Sequence, residues 1–219
     1  MSQSTVKKIV IVGGGSAGWL TAAYALYNLP NTQITLVESP NIPIVGVGEA
    51  TILGFDHYLT DCGIPTELWT KECDATIKLG TYFPNWRGDG KNIWQPFYFP
   101  IEMAKTGNWH DVIDLCRDAN VPFEDYEKWT AWYDISVKDK KIAGNTTACG
   151  SEAHVGYHLD AVKLANFLSE YLNKKYPRLK HIKAHIDKPV IKDGNIEHVV
   201  LENGEMVTGD FFVDCTGFK

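Results

Sequence analysis

The chain has 219 residues, 44% of them hydrophobic, enough to bury a core in one or two domains. No run approaches the roughly 18 uninterrupted apolar residues of a membrane span, so a cytoplasmic protein with no membrane partner is expected. A net charge of −6 offers no basic face to neutralise phosphates, which argues against nucleic acid as a partner.

Val6 to Val12 is a short β-branched run between a basic start and a glycine cluster. A continuous apolar run of this kind reads as a strand buried on both faces, which implies a parallel sheet. Ser16 to Leu29 is rich in Ala and Leu at helical spacing and stops at the turn signal Pro30-Asn31. Gln33 to Val37 then forms a second strand ending in Glu38, which completes strand, glycine turn, helix and strand.

The glycine turn is Gly13-Gly14-Gly15-Ser16-Ala17-Gly18, a match to G-x-G-x-x-G, and Glu38 follows Gly18 by 20 residues. A bare match carries little weight, but a preceding buried strand, a following helix and a later acidic residue make it a dinucleotide-binding unit. Gly13 permits the tight turn, Gly15 lets the backbone approach a pyrophosphate, and Gly18 lets helix and strand pack closely. The helix N-terminus at Ser16 and Ala17 faces the phosphate charge, and Glu38 accepts from ribose hydroxyls. A second glycine patch, Gly46-Val47-Gly48-Glu49-Ala50-Thr51, is placed to run alongside the cofactor. It reads equally as a loop needing unusual backbone angles.

From 52 to 150, Pro, Gly and Trp interrupt the pattern repeatedly. Helices are expected over His57 to Cys62, Thr66 to Lys78 and Trp109 to Ala119, the last with Val112, Ile113, Leu115 and Cys116 on one side. Lys78 closes the second of these, between Ile77 and Leu79. A desolvated lysine can act as nucleophile or donor, whereas most lysines only lay their stem along apolar neighbours. The chain also carries seven Trp, ten Tyr and nine Phe.

From 151 to 219 the pattern clears. Leu159 to Tyr171 reads as an amphipathic helix with Leu159, Val162, Leu164, Leu168 and Leu172 as its apolar stripe, ended by Pro177. Strands follow over Ile182 to Ile186, Val190-Ile191, Ile196 to Leu201 and Asp210 to Asp214, with Asp193-Gly194 and Asn203-Gly204 as hairpin turns. The last strand runs into Cys215-Thr216-Gly217, and Asp214 and Gly217 are placed to approach the bound cofactor. A strand handing on to a glycine turn with nothing after it suggests a truncated chain.

The five cysteines, Cys62, Cys73, Cys116, Cys149 and Cys215, show no C-x-x-C spacing. They read as reduced thiols rather than as a zinc site or disulfide framework. His181 and His185, and likewise His154 and His158, lack a third ligand or a neighbouring nucleophile and read as exposed or packing residues.

Taken together, the sequence resembles the flavin-dependent tryptophan halogenases almost end to end. The resemblance is carried by Ile9 to Trp19, by Gly46 to Thr51, by Gly63-Ile64-Pro65 with Trp69, and by Glu72 to Lys78 followed by Asn85-Trp86-Arg87. His158-Leu159-Asp160 and Asp214 to Phe218 continue it. It implies an α/β, Rossmann-like FAD-binding fold of the flavin monooxygenase kind, with the βαβ unit and second glycine patch at 6–51. A helical, aromatic-rich insertion on the substrate side at 52–150 and a C-terminal β-meander within 151–219 complete it.

The resemblance further implies that reduced FAD, O₂ and halide yield hypohalous acid, which travels to Lys78 beside an indole-type aromatic substrate. Reduced FAD would come from a separate flavin reductase by diffusion. The family's G-W-x-W-x-I-P segment and its catalytic glutamate are absent from these residues, so a truncated and inactive chain is expected. Where the family often has a His after N-W-R, this chain has Trp94-Gln95-Pro96-Phe97-Tyr98-Phe99, a departure that widens the expected substrate from tryptophan to related aromatic compounds. Two alternatives stay open: an FAD-dependent aromatic monooxygenase, and a non-catalytic FAD-binding fragment. A hydride-transferring NAD enzyme would share only the βαβ unit.

Overall fold

The computed structural model of the chain describes residues 6–44, 46, 48–97, 118, 120 and 155–217. The described chain forms two compact units.

The first unit comprises Met1–Glu49, His57–Ala75 and Leu159–Lys219. Strand β1 (Lys8–Val12), helix α1 (Ser16–Asn28) and strand β2 (Gln33–Glu38) form the expected βαβ unit, with β1 and β2 parallel and in register from Lys8 with Gln33 to Val12 with Val37. Two short helices follow in sequence, α2 (Phe55–Asp61) and α3 (Thr66–Glu72). Helix α3 stops well short of Lys78, correcting the expectation of a helix over Thr66 to Lys78. The Cys73 N–H still donates to Trp69 O at 2.9 Å, but Asp74 turns to φ +50° and the Ala75 N–H returns to Thr70 O. Beyond that left-handed turn, the β-branched pair Thr76-Ile77 leaves the helix for a strand.

The long helix, α4 (Ala161–Lys175), also differs from its expected limits. Leu159 ends a strand, Asp160 caps the helix through a 2.9 Å bond from the Lys163 N–H, and three more turns follow before Pro177. Val162 is 37% exposed and lies outside the buried stripe, which runs through Ala161, Leu164, Ala165, Leu168 and Leu172. Small alanines rather than Val162 face the core, because steps of about 100° per residue carry position 162 off that line.

After α4 the chain enters β8 (Leu179–Lys183), not a strand over Ile182 to Ile186. Strand β8 lies parallel to β2, pairing Ile34 with Leu179 through Glu38 with Lys183. The strands β9 (Ile186–Lys192), β10 (Asn195–Leu201) and β11 (Met206–Thr208) form the expected antiparallel meander, turning at Asp193-Gly194 and near Asn203-Gly204. Strand β12 (Phe211–Asp214) then returns parallel to β1. The parallel sheet therefore runs β12-β1-β2-β8.

The register assigns the two faces of this sheet. Val10, Val12, Val37, Ile182 and Phe212 share one face and pack with Val199, Leu201 and Val207 of the meander. Ile9, Ile11, Ile34 and Leu36 point the other way, and all four are buried. Burial on both faces is why these strands read as uninterrupted apolar runs.

The second unit comprises Ala50–Asp56 and Thr76–His158. Strands β3 (Glu49–Ala50), β7 (Gly156–Leu159) and β4 (Thr76–Lys78) form a sheet in that order, with β4 and β7 antiparallel. A hairpin pairs β5 (Gly80–Phe83) with β6 (Ile93–Pro96). The helix expected over Trp109 to Ala119, save Asp118, lies outside the described residues, as do Val47, Cys116, Cys149, His154 and Phe218. Among the described residues no helix is long and apolar enough to cross a membrane.

Candidate functional site

In the first unit, three strands of the parallel sheet end together, and each delivers a residue that the sequence singled out. Strand β1 leads into Gly13, β2 ends at Glu38 and β12 ends at Asp214. The crevice outside the carboxyl ends of parallel strands is where open α/β sheets bind ligands. Backbone bonds tie the three ends: the Gly13 N–H donates to Val37 O at 2.9 Å, and the Cys215 N–H to Val12 O at 2.7 Å.

The glycines divide by what surrounds them. A β-carbon at Gly13 would lie 2.3 Å from Cys215 O, and one at Gly18 would lie 1.9 Å from Gly13 O. These two permit the turn and the close approach of helix and strand. A β-carbon at Gly15 would meet nothing within 4 Å, so this position opens onto free space at the head of α1. Helix α1 has no side-chain cap and no acidic residue in its first turn, so N–H groups at its positive end lack side-chain acceptors. Ser16 and Ala17 begin that turn.

Gly14 is a position that sequence reasoning passed over. A β-carbon there would fall 1.8 Å from Glu38 Oε2 and 2.5 Å from Glu38 Cβ, so the carboxylate lies tucked beneath the glycine loop. His181, read as an exposed or packing residue, packs against Trp19 and also meets Glu38, a contact the sequence reading missed. Its side chain is 12% exposed, and its Nε2 lies 2.8 Å from Glu38 Oε1. The signal was the strand assignment: with β8 starting at Leu179, His181 pairs with Leu36 and projects to the same face as Glu38. The His181 hydrogen bond holds the Glu38 carboxyl below its ordinary range, burial opposing and the charge of Lys183 assisting.

Asp214 is held locally, its Oδ1 accepting from the Thr216 N–H at 2.9 Å and the Thr216 hydroxyl at 2.7 Å, and these bonds hold its carboxyl below the usual carboxylate range. Gly217 follows at φ +73°. In the second glycine patch, Gly46 abuts Ala161, where a β-carbon would come within 2.8 Å, and Gly48 takes φ +103°. Glu49 and Ala50 form the exposed strand β3.

In the second unit, Lys78 ends β4 rather than a helix. Its Nζ donates to Thr51 O at 3.2 Å and sits 5.0 Å from the centroid of the Phe97 ring. Gly156 makes room for this arrangement, because a β-carbon there would lie 2.7 Å from both the Phe97 ring and Thr51 O. The Thr51 hydroxyl accepts from the Tyr157 N–H at 2.9 Å, which fixes the carbonyl that receives Lys78. The lysine is thus half-buried against an aromatic face.

The described cysteines, Cys62, Cys73 and Cys215, are free, and burial pushes the Cys73 thiol up to about 12. No group of His, Cys, Asp and Glu among the described residues is arranged to hold a metal ion.

The sequence profile of the tryptophan halogenases matches residues 8–219. The chain belongs to the tryptophan halogenase family. This member is 32% identical to the tryptophan 6-halogenase ThaL of Streptomyces albogriseolus over 98% of its length, and 32% identical to the tryptophan 7-halogenase RebH of Lentzea aerocolonigenes over 98%. It covers 43% of each of those two proteins, so the chain spans under half the length of the curated relatives it matches. A flavin-dependent halogenase from Xanthomonas campestris superposes with TM-score 0.76 at 29% identity, covering 98% of this chain and 43% of that one.

Proposed function

We propose that this halogenase-family chain forms the FAD-binding part of a flavin-dependent halogenase acting on tryptophan or a related indole-type compound, with Lys78 as its catalytic residue. The observation that carries the reading is the junction of Gly15, Glu38 and Asp214 at the ends of three parallel strands. The fit to FAD rests on shape and charge. Gly15 opens onto space where a side chain would obstruct a diphosphate, α1 presents an uncapped positive end, and Glu38 stands at the end of β2 for a ribose. Gly13, Ser16, Ala17 and Gly18 build that cradle. Gly48, Glu49, Ala50, Asp214 and Gly217 are the further contacts proposed.

When bound, reduced FAD supplies the electrons by which O₂ oxidises halide to hypohalous acid, and a separate flavin reductase supplies the reduced cofactor by diffusion. The lysine's part follows from its surroundings. An ammonium has three N–H donors, and Thr51 O takes one of them. Another holds hypohalous acid by a hydrogen bond, while the Phe97 face at 5.0 Å restrains the side chain. A dry, aromatic setting keeps such an electrophile from water.

Two measurements test the proposal. Titration of the 219-residue chain into FAD is expected to quench flavin fluorescence, and absence of quenching would overturn the cofactor assignment. In a complemented or full-length form, with reduced FAD, halide and tryptophan supplied, Lys78→Ala is expected to lower halogenated product by about a hundredfold or more while flavin oxidation continues. Halogenation that survives the substitution overturns the role of Lys78.

A further inference from the structure

Glu38 is not simply a carboxylate at a strand end; it is gripped from the helix side of the sheet. His181 Nε2 reaches Glu38 Oε1 at 2.8 Å, and Trp19 lies beside the same carboxylate and adds to the lowering of its pKa. Trp19 also meets the His181 ring edge to face, with centroids 5.0 Å apart and planes at 87°. Behind the imidazole, Asn173 of α4 places its Nδ2 3.2 Å from His181 Nδ1 while donating to Ser169 O at 2.8 Å. An amide nitrogen only donates, so Nδ1 accepts and the ring proton sits on Nε2, directed at Glu38.

We infer that His181 is a positioning residue for the cofactor, an Asn173-oriented donor that locks the Glu38 carboxylate for the hydroxyls of a ribose. The lone-pair count supports this. A carboxylate offers about four acceptor sites; His181 occupies one of them, which leaves sites for the paired hydroxyls of an unphosphorylated ribose. With Gly14 above it and His181 and Trp19 beside it, the carboxylate has its rotamer chosen before ligand arrives. The inference rests on the FAD reading of the glycine-loop site and assigns a residue that reading does not use.

The test is FAD affinity of the 219-residue chain, read by flavin fluorescence quenching, with folding checked by circular dichroism. His181→Leu removes the donor and is expected to weaken FAD on the order of tenfold to a hundredfold, the scale of one hydrogen bond to a charged group. His181→Gln restores an N–H near the Nε2 position and is expected to recover affinity to within about threefold of the parent. In a Glu38→Gln background, His181→Leu is expected to add less than about twofold. Asn173 is exposed on α4, so Asn173→Ala keeps the fold should His181→Leu fail to fold. It is expected to shift the ¹⁵N signals of His181 away from the Nε2–H tautomer without any ligand.

A full penalty for His181→Leu that persists without Glu38 would overturn the inference, as would a Gln variant no better than Leu or His181 signals indifferent to Asn173. Equal FAD binding by the parent and His181→Leu overturns the inference alone. Absence of FAD binding by the parent chain overturns the cofactor reading together with it.

Discussion

Gly14 and Gly15 are adjacent and chemically identical, yet they answer different demands. Gly14 is surrounded by Glu38, so a methyl group there collides with the protein itself. Gly15 has φ −77° and ψ −174°, a conformation open to any residue, and nothing within 4 Å of a β-carbon. The packing of the fold therefore leaves room for a side chain at 15, where α1 has its N-cap. Gly15→Ala is expected to cost no more than about 1 kcal/mol of stability in urea through the poorer N-cap, while weakening FAD binding by at least about tenfold as the methyl enters the space proposed for the diphosphate. Unchanged affinity in this variant would remove Gly15 from the cofactor site. Gly14→Ala is the internal contrast, since it disturbs Glu38 before any ligand is added.

At the scale of elements, what ends a helix decided where Lys78 sits. Asp74 at φ +50° stops α3, and the two β-branched residues after it carry Lys78 onto a strand that pairs with β7. The sequence pattern extended the helix because Trp69, Cys73 and Ile77 recur at helical spacing, and periodicity does not register a single left-handed residue. At the next helix the sequence pattern missed the start: Asp160, read as lying inside a helix from Leu159, is its side-chain cap. Its carboxylate takes the Lys163 N–H at 2.9 Å, and its own N–H donates to Cys73 O at 3.0 Å. Helix α4 supplies Asn173 behind His181. Asp160→Ala is expected to cost about 1 kcal/mol through the lost cap, seen as a lowered urea midpoint with an unchanged slope. A cost below about 0.3 kcal/mol would mean that water serves that end of α4 equally well.

Across the whole molecule, the βαβ unit, its glycine loop, Glu38 and the meander were legible because each has a local signature: a buried run, a fixed glycine spacing, a two-residue turn. The pairing of β8 with β2 was not, because Lys180, His181 and Lys183 interrupt its apolar pattern and only the parallel partner shows which face His181 takes. Nor was the place of β12 beside β1, a contact that closes across nearly the full chain. That long-range closure makes the meander structurally consequential. Strands β9, β10 and β11 lie in sequence between β8 and β12 and lay Val199, Leu201 and Val207 on Val10, Val37 and Phe212, the floor beneath the glycine loop and Glu38. Leu201 is 1% exposed, so Leu201→Ala removes buried methyl groups from this contact at an expected cost of 2–5 kcal/mol. Because the contact joins both sheets, loss is expected as one cooperative urea transition at lower midpoint, monitored alike by tryptophan fluorescence and circular dichroism. FAD affinity well below that midpoint is expected to stay within about twofold, since the truncated side chain lies on the sheet face away from His181 and Trp19. Two separate transitions would instead show that the meander unfolds on its own and contributes nothing to holding the cofactor end of the parallel sheet.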